Sequence, residues 1–144
     1  MRIDPSHFRR LERMYAAAPT NEYYGAELTV ADSSAEARVR VRREFFHPFA
    51  VHGSVYFKIL DDAAYFAASS LVTDVFLLTS SFTIYMTRPI TEGTMVGTGT
   101  VVHRSKRLFV AEAVLTDQDG RQLGRGSGTF MRSRRELSSA DGYA

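Results

Sequence analysis

The chain has no cysteine among its 144 residues. That excludes disulfides, thiolate metal sites, iron–sulfur clusters and a cysteine nucleophile, and it suits a reducing compartment. Proline is scarce, at 4 residues, and neither sign of charge dominates: 18 Lys and Arg face 16 Asp and Glu, a formal net charge of +2. Because acids are spread among the bases, the chain lacks the basic excess of a nucleic-acid binder, although 16 of its 18 basic residues are Arg. No apolar run could cross a bilayer, since the longest mostly apolar stretch, Ala63 to Leu71, contains serine. The N-terminal Met1-Arg2-Ile3-Asp4-Pro5 leads into a charged stretch rather than the apolar centre of a secretory signal. A soluble, cytoplasmic protein is expected. Repeats, low-complexity tracts and linkers are also missing.

Several chemical signatures are absent too. There is no phosphate-binding loop and no glycine-rich dinucleotide fingerprint. Gly53-Ser54 has no nucleophile-elbow pattern around it. The four histidines are scattered, with no helix-spaced pair, so neither a metal nor a cofactor is expected.

What is present is 44% apolar residues, enough for one compact domain with a real core spanning residues 1–144. A first helix is expected from about Pro5 to Ala18, capped by Asp4, with Pro5 in its first turn and Pro19-Thr20-Asn21 stopping it. Phe8, Leu11, Met14 or Tyr15, and Ala18 give it one apolar face. Two strands follow, at about Ala26–Ala31 and Ala35–Arg43, turning at Asp32-Ser33-Ser34. In the second, Ala35, Ala37, Val39 and Val41 alternate with Glu36, Arg38, Arg40 and Arg42, which reads as one buried and one solvated face. A second helix, about Gly53 to Ser70, is apolar over most of its circumference and should be buried. Four strands come last, at about Val75–Met86, Thr94–Arg104, Leu108–Asp117 and Gln122–Arg132. Turns are expected at Pro89 to Gly93, at Arg104-Ser105-Lys106-Arg107 and at Asp119-Gly120, the first closing a hairpin between its flanking strands. Residues 136–144 read as a loose polar tail. The order specifies an α+β fold, a curved antiparallel sheet around one long central helix, with an extra N-terminal helix.

Chemistry concentrates in His47-Pro48-Phe49-Ala50-Val51-His52-Gly53-Ser54, followed by Asp61. A helix starting at Gly53 leaves amide groups without intrahelical partners at its positive end. Gly53 has no side chain, so a carbonyl can approach its N–H, as an oxyanion site requires. Asp61 lies two turns on, with Phe57 and Tyr65 at i−4 and i+4. A carboxylate in such surroundings has a raised pKa and is a candidate base. Its neighbour Asp62 has Lys58 four residues earlier as a partner. His52 reads as a packed histidine bonded to backbone rather than a participant in chemistry.

His52-Gly53-Ser54, Asp61 nine residues after the histidine, and Tyr85-Met86-Thr87-Arg88-Pro89 on a later strand resemble the hotdog-fold acyl-CoA thioesterases, nearest the phenylacetate-pathway branch. The resemblance runs from about Tyr24 to Arg132. It implies dimers joined edge to edge, often paired into tetramers, with sites between copies. In that family Gly53 N–H would polarise the thioester carbonyl, and the partner's Asp61 would activate water or attack directly. Thr79 would help place the water, with Ser80 and Ser81 close in register. The chain departs from the family pattern at Ser54, where a glycine is usual, at Phe46, where an asparagine is usual, and at Phe49. His47 would then stand in for the asparagine as a donor, and Phe46 and Phe49 would narrow the acyl pocket.

The substrate would be a coenzyme A thioester, its phosphates held by Arg88 and by the basic turn Arg104-Ser105-Lys106-Arg107. Two other readings use the same fold. One is a 3-hydroxyacyl thioester dehydratase or hydratase, in which His47 and Asp61, fourteen residues apart, form an acid–base pair. The other is a non-catalytic acyl-CoA-binding protein.

Overall fold

The computed structural model describes residues 2–144. Helix α1 spans Pro5–Ala17. The Asp4 carboxylate accepts the Ser6 N–H at 2.9 Å and caps its start. Ala18 then takes extended backbone, and the chain resumes as a short helix α2, Pro19–Tyr24, closed by Gly25 with φ 70°. Pro19 therefore starts a second helix rather than only ending the first. Its fixed φ and missing N–H suit a first helical position equally well.

Strands β1 (Glu27–Ala31) and β2 (Ser34–Arg40) form a hairpin, with Ser33 at positive φ. The expected alternation holds in β2: Ala35, Ala37 and Val39 are buried, while Arg38 pairs with Glu36 at 2.8 Å on the wet face. A 3-10 turn, Arg43–Phe45, leads towards α3, Gly53–Ser69. The remaining strands are β3 (Val75–Met86), β4 (Thr94–Arg104), β5 (Leu108–Thr116) and β6 (Gln122–Glu136).

All six strands form one antiparallel sheet in the order β1-β2-β4-β5-β6-β3. The segment Pro89 to Gly93 thus closes no hairpin. It carries the chain from one edge of the sheet to the interior, because β3 pairs with β6 and β4 pairs with β2. Turn residues signal a change of direction and are silent about which strands become neighbours.

The core is α3 laid on the sheet, with Ile59, Leu60, Ala63, Ala64, Ala67 and Ala68 fully buried. Strand β4 approaches the helix so closely that a Cβ at Gly99 would lie 2.1 Å from the Ala63 carbonyl oxygen. Only glycine permits that contact. The last residues are docked rather than loose. After a 3-10 turn, Leu137–Ser139, the Tyr143 hydroxyl meets Nδ1 of buried His7 at 2.8 Å, and the His7 Nε2 lies 2.8 Å from the Ser69 carbonyl. Among the described residues, no helix is long and apolar enough to cross a membrane.

The two sheet edges differ. On β1, the Val30 N–H donates to Glu12 at 2.8 Å and the Val30 carbonyl accepts from Arg9 at 2.7 Å, so α1 covers that edge. On β3, Leu78, Tyr85 and Met86 are exposed along an open edge. An uncovered apolar edge is a template for pairing with another strand.

The glycine contacts set a graded test. Gly99→Ala drives a methyl into helix backbone and should cost about 1–3 kcal/mol, the usual range for overpacking. Gly97→Ala meets first the Ile59 side chain, at 2.8 Å, and should cost less. Urea unfolding of both variants checks the order.

Candidate active site

The start of α3 is built by His52. Its backbone is extended, with φ −66° and ψ 146°, and its Nδ1 accepts the Ser54 N–H at 2.9 Å. That bond fixes Nδ1 as the acceptor and leaves the ring proton on Nε2. The Ser54 hydroxyl lies 2.9 Å from the same nitrogen. His52 therefore bonds to backbone, as the sequence implied, although it is exposed rather than packed. Its own N–H donates to the Phe45 carbonyl, and the Val55 N–H to the His52 carbonyl. Among these first amides Gly53 N–H alone has no partner among the described residues.

Gly53 opens into a cleft of about 400 Å³ lined by His47, Ala50, Tyr56, Met86 and Arg88. Met86 was missed in the sequence. Its sulfur would lie 2.7 Å from a Cβ at position 53, so the thioether occupies the space that a side chain there would take. Met86 belongs to the quoted strand motif, but sequence spacing cannot show it lying over a helix start. His47 is exposed, and its Nδ1 accepts the Phe49 N–H at 3.3 Å. Phe49 is 84% exposed and lines neither this cleft nor the Asp61 cavity. Phe46 lies beside His52 and Ser54 instead. Within one chain, then, neither phenylalanine narrows an acyl pocket.

Asp61 faces a different space, a cavity of about 330 Å³ between α1, α3 and β3. The Thr79 hydroxyl donates to its Oδ1 at 3.0 Å. This choice of Thr79 over its neighbours follows from a bulge: Thr79 pairs with Phe130 and Ser81 with Thr129, leaving Ser80 extra. The extra residue lets Thr79 and Phe82 both face α3, where Phe82 packs on Phe57 with ring centroids 5.5 Å apart. Ser81 turns away and pairs with the Thr129 hydroxyl at 2.8 Å, and Ser80 is exposed.

The two adjacent acids are set apart as the sequence implied. Asp62 is paired with Lys58 at 2.8 Å and accepts from the Tyr15 hydroxyl at 2.7 Å. Lys58 also donates to Asn21 and lies over the rings of Tyr15 and Tyr24. Among the described residues Asp61 has no cationic partner in contact. Burial pushes its carboxyl up to about 6, with the Thr79 bond pulling down against the charge of Asp62. A carboxylate with a pKa near neutrality is poised to take and return a proton.

Gly53 and Asp61 do not meet within one chain. Eight residues of helix put them about 12 Å apart along the axis. The predicted phosphate ligands are likewise divided. Arg88 lies at the Gly53 end, where Met86 pairs with Gly124, while the Arg104–Arg107 hairpin lies at the other end, where Leu77 pairs with Arg132. Arg132, Arg134 and Arg135 join that hairpin's end of the sheet and were missed, because the expected last strand stopped at Arg132. Among the described residues no set of three His, Asp or Glu side chains converges as a metal site would need.

A curved antiparallel sheet around a buried helix, with an amide at one end of that helix and a half-buried carboxylate two turns on, defines a hotdog-fold protein. The structure of E. coli PaaI, from the phenylacetic acid degradation operon, superposes with a TM-score of 0.85 at 20% identity, covering 94% of this chain and 99% of that one. A Haemophilus influenzae thioesterase gives 0.76 at 15% identity, covering 86% and 88%. AziG of S. sahachiroi gives 0.75 at 25% identity, covering 81% and 98%. Comparison with curated protein sequences finds no match. The family model described as thioesterase superfamily matches residues 50–123, just over half the chain and the whole span from Ala50 through α3 to the start of β6. The chain belongs to the thioesterase superfamily and is a thioester hydrolase.

The raised Asp61 pKa is also a stability statement. The fold favours the protonated form, so the penalty is absent below the unfolded value, near 4, and fully present above about 6. Asp61→Asn should therefore stabilise the protein at pH 8 by on the order of 2–3 kcal/mol, with the gain vanishing towards pH 4. Thr79→Val should push the Asp61 carboxyl above its present value. Urea unfolding across pH reads the first effect, and carboxyl NMR titration the second.

Proposed function

We propose that the protein hydrolyses acyl-CoA thioesters at sites shared between two copies of the chain. The observation that carries this reading is Asp61, a half-buried carboxyl with a near-neutral pKa, bonded to one hydroxyl at the mouth of an apolar cavity. The open β3 edge supports the partner: antiparallel pairing of β3 with its copy would bring the Gly53 end of one chain to the Asp61 end of the other. Such a dimer can pair again into a tetramer.

In that assembly Gly53 N–H and the helix start hold the thioester oxygen. The partner's Asp61, ionised, takes a proton from a water oriented by Thr79. The water oxygen bonds to the thioester carbon, and charge gathers on the oxygen facing Gly53. The carbon–sulfur bond then breaks, and the coenzyme A sulfur recovers the proton from Asp61, leaving a carboxylic acid and a free thiol. Direct attack by the carboxylate would pass instead through an anhydride that water cleaves. Labelled oxygen from water entering Asp61 in a single turnover distinguishes that route. Arg88 of one copy and the Arg104–Arg107 turn of the other lie at the same end of the paired sheets, where they would meet the coenzyme A phosphates.

A histidine–carboxylate dehydratase would use the same shared site, since His47 lines the Gly53 cleft, but it is less well supported because the matching family model is the thioesterase superfamily. Hydration of an enoyl-CoA without thiol release would restore it, and acyl-CoA binding without either reaction would leave only a binding protein.

The expected result is thiol release from acyl-CoA with kcat/KM rising through a midpoint at about pH 6. Asp61→Asn should lose on the order of 10²-fold or more in kcat while keeping its oligomeric state. Gly53→Pro removes the amide donor at a position where proline suits a helix start and His52 is already extended. It should also be inactive. Refolding the two inactive variants together should restore about a quarter of wild-type activity, because half the dimers are mixed and each carries one intact shared site. No restoration would place Gly53 and Asp61 in separate, unshared roles.

A further inference from the structure

The cavity beside Asp61 is only partly built from the segment that matches the family. Its inner wall comes from α3 and β3, through Phe66, Leu77 and Leu78. Its opposite wall comes from Met14, Tyr15 and Ala18, which precede the matched residues 50–123 by more than thirty positions. Apart from the Thr20 hydroxyl at the exposed rim, the polar side chains on this border are already bound to one another or to backbone. The Tyr15 hydroxyl is given to Asp62, the Lys58 ammonium to Asp62 and Asn21, and the Asn21 amide to the Tyr15 carbonyl at 2.8 Å. The Tyr65 hydroxyl is given to the Leu77 carbonyl at 2.7 Å. What remains facing the space is hydrocarbon, apart from Asp61, Thr79 and the hydroxyl of the exposed Thr20. The Tyr15–Asp62 and Lys58–Asn21 bonds pin α1 and α2 against α3, so this wall is fixed to the helix that carries Asp61.

We propose that α1 and the Ala18 junction form the far wall of an acyl pocket, so that the N-terminal helices select an unsubstituted apolar acyl group of medium length. This inference rests on the thioesterase reading above. At the ~30 Å³ that one water occupies in the liquid, 330 Å³ holds about ten non-hydrogen atoms. That suits octanoyl or decanoyl groups and excludes the full length of a palmitoyl chain. A tail lying in this space has its thioester end at Asp61, where the reaction takes place. A polar substituent on the tail, away from Thr20 at the exposed rim, would lose its water and find no free partner.

The test is thiol release from the saturated series butyryl- to palmitoyl-CoA by three enzymes: wild type, Met14→Ala and Ala18→Leu. Wild type should gain up to about fourfold in kcat/KM per added methylene until the pocket is full, and then lose activity. Met14→Ala, which lengthens the space, should move the optimum to longer chains. Ala18→Leu, at an extended and partly exposed junction, should move it to shorter ones. Opposite shifts from two substitutions on one wall cannot come from general loss of folding. Thiol release by all three enzymes with one common chain-length optimum overturns the role given to α1. Absence of thiol release from every acyl-CoA overturns the thioesterase reading itself, and this inference with it.

Discussion

Removing a carboxylate from water is costly, and the fold meets that cost very differently at two consecutive residues. Asp62 receives an ammonium and a phenol from Lys58 and Tyr15. Asp61 receives one threonine hydroxyl. The difference arises because α3 is a rigid rod seated on the sheet, with β4 glycines against its backbone, so that adjacent residues face different neighbours. One acid faces α1 and α2 and serves as a structural pin. The other faces the bulge in β3 and keeps a proton affinity suited to chemistry near neutral pH.

That same rod explains why the site is divided. A helix cannot bring its first residue and its ninth to one carbon atom. In the proposed site another copy supplies one of the two, and the sheet edges of the molecule differ in a way that suits it. Arg9 and Glu12 occupy the backbone of β1, whereas β3 presents an open ladder with Leu78, Tyr85 and Met86 exposed. Pairing at β3 would satisfy the ladder and cover that apolar surface, which is the edge-strand problem solved by assembly. The division of cationic side chains between the two ends of the sheet follows the same logic.

The N-terminal helices tie these features together. They cover one edge of the sheet, bind Asp62 and Lys58, and supply a wall to the cavity that Asp61 faces. The docked C-terminus adds support from behind, through Tyr143, His7 and the Ser69 carbonyl at the end of α3. Stability and site geometry thus depend on the same packing around one helix.

Much of this was written locally in the sequence. Helix starts, strand alternation and two hairpin turns follow from residue periodicity and capping chemistry, and the contrast between Asp61 and Asp62 follows from the i±4 neighbours of a helix. Tertiary structure decided the rest. It sent β3 to the far edge, so Pro89 to Gly93 became a crossing, because strand partners are chosen by packing across the whole sheet. It placed an extra Ser80 in β3 and so selected Thr79, since a bulge depends on the register of two strands distant in sequence. It set Met86 over Gly53 and brought Met14 and Tyr15 to the cavity of Asp61. Those contacts join residues dozens of positions apart, and no spacing along a single chain encodes how close they come.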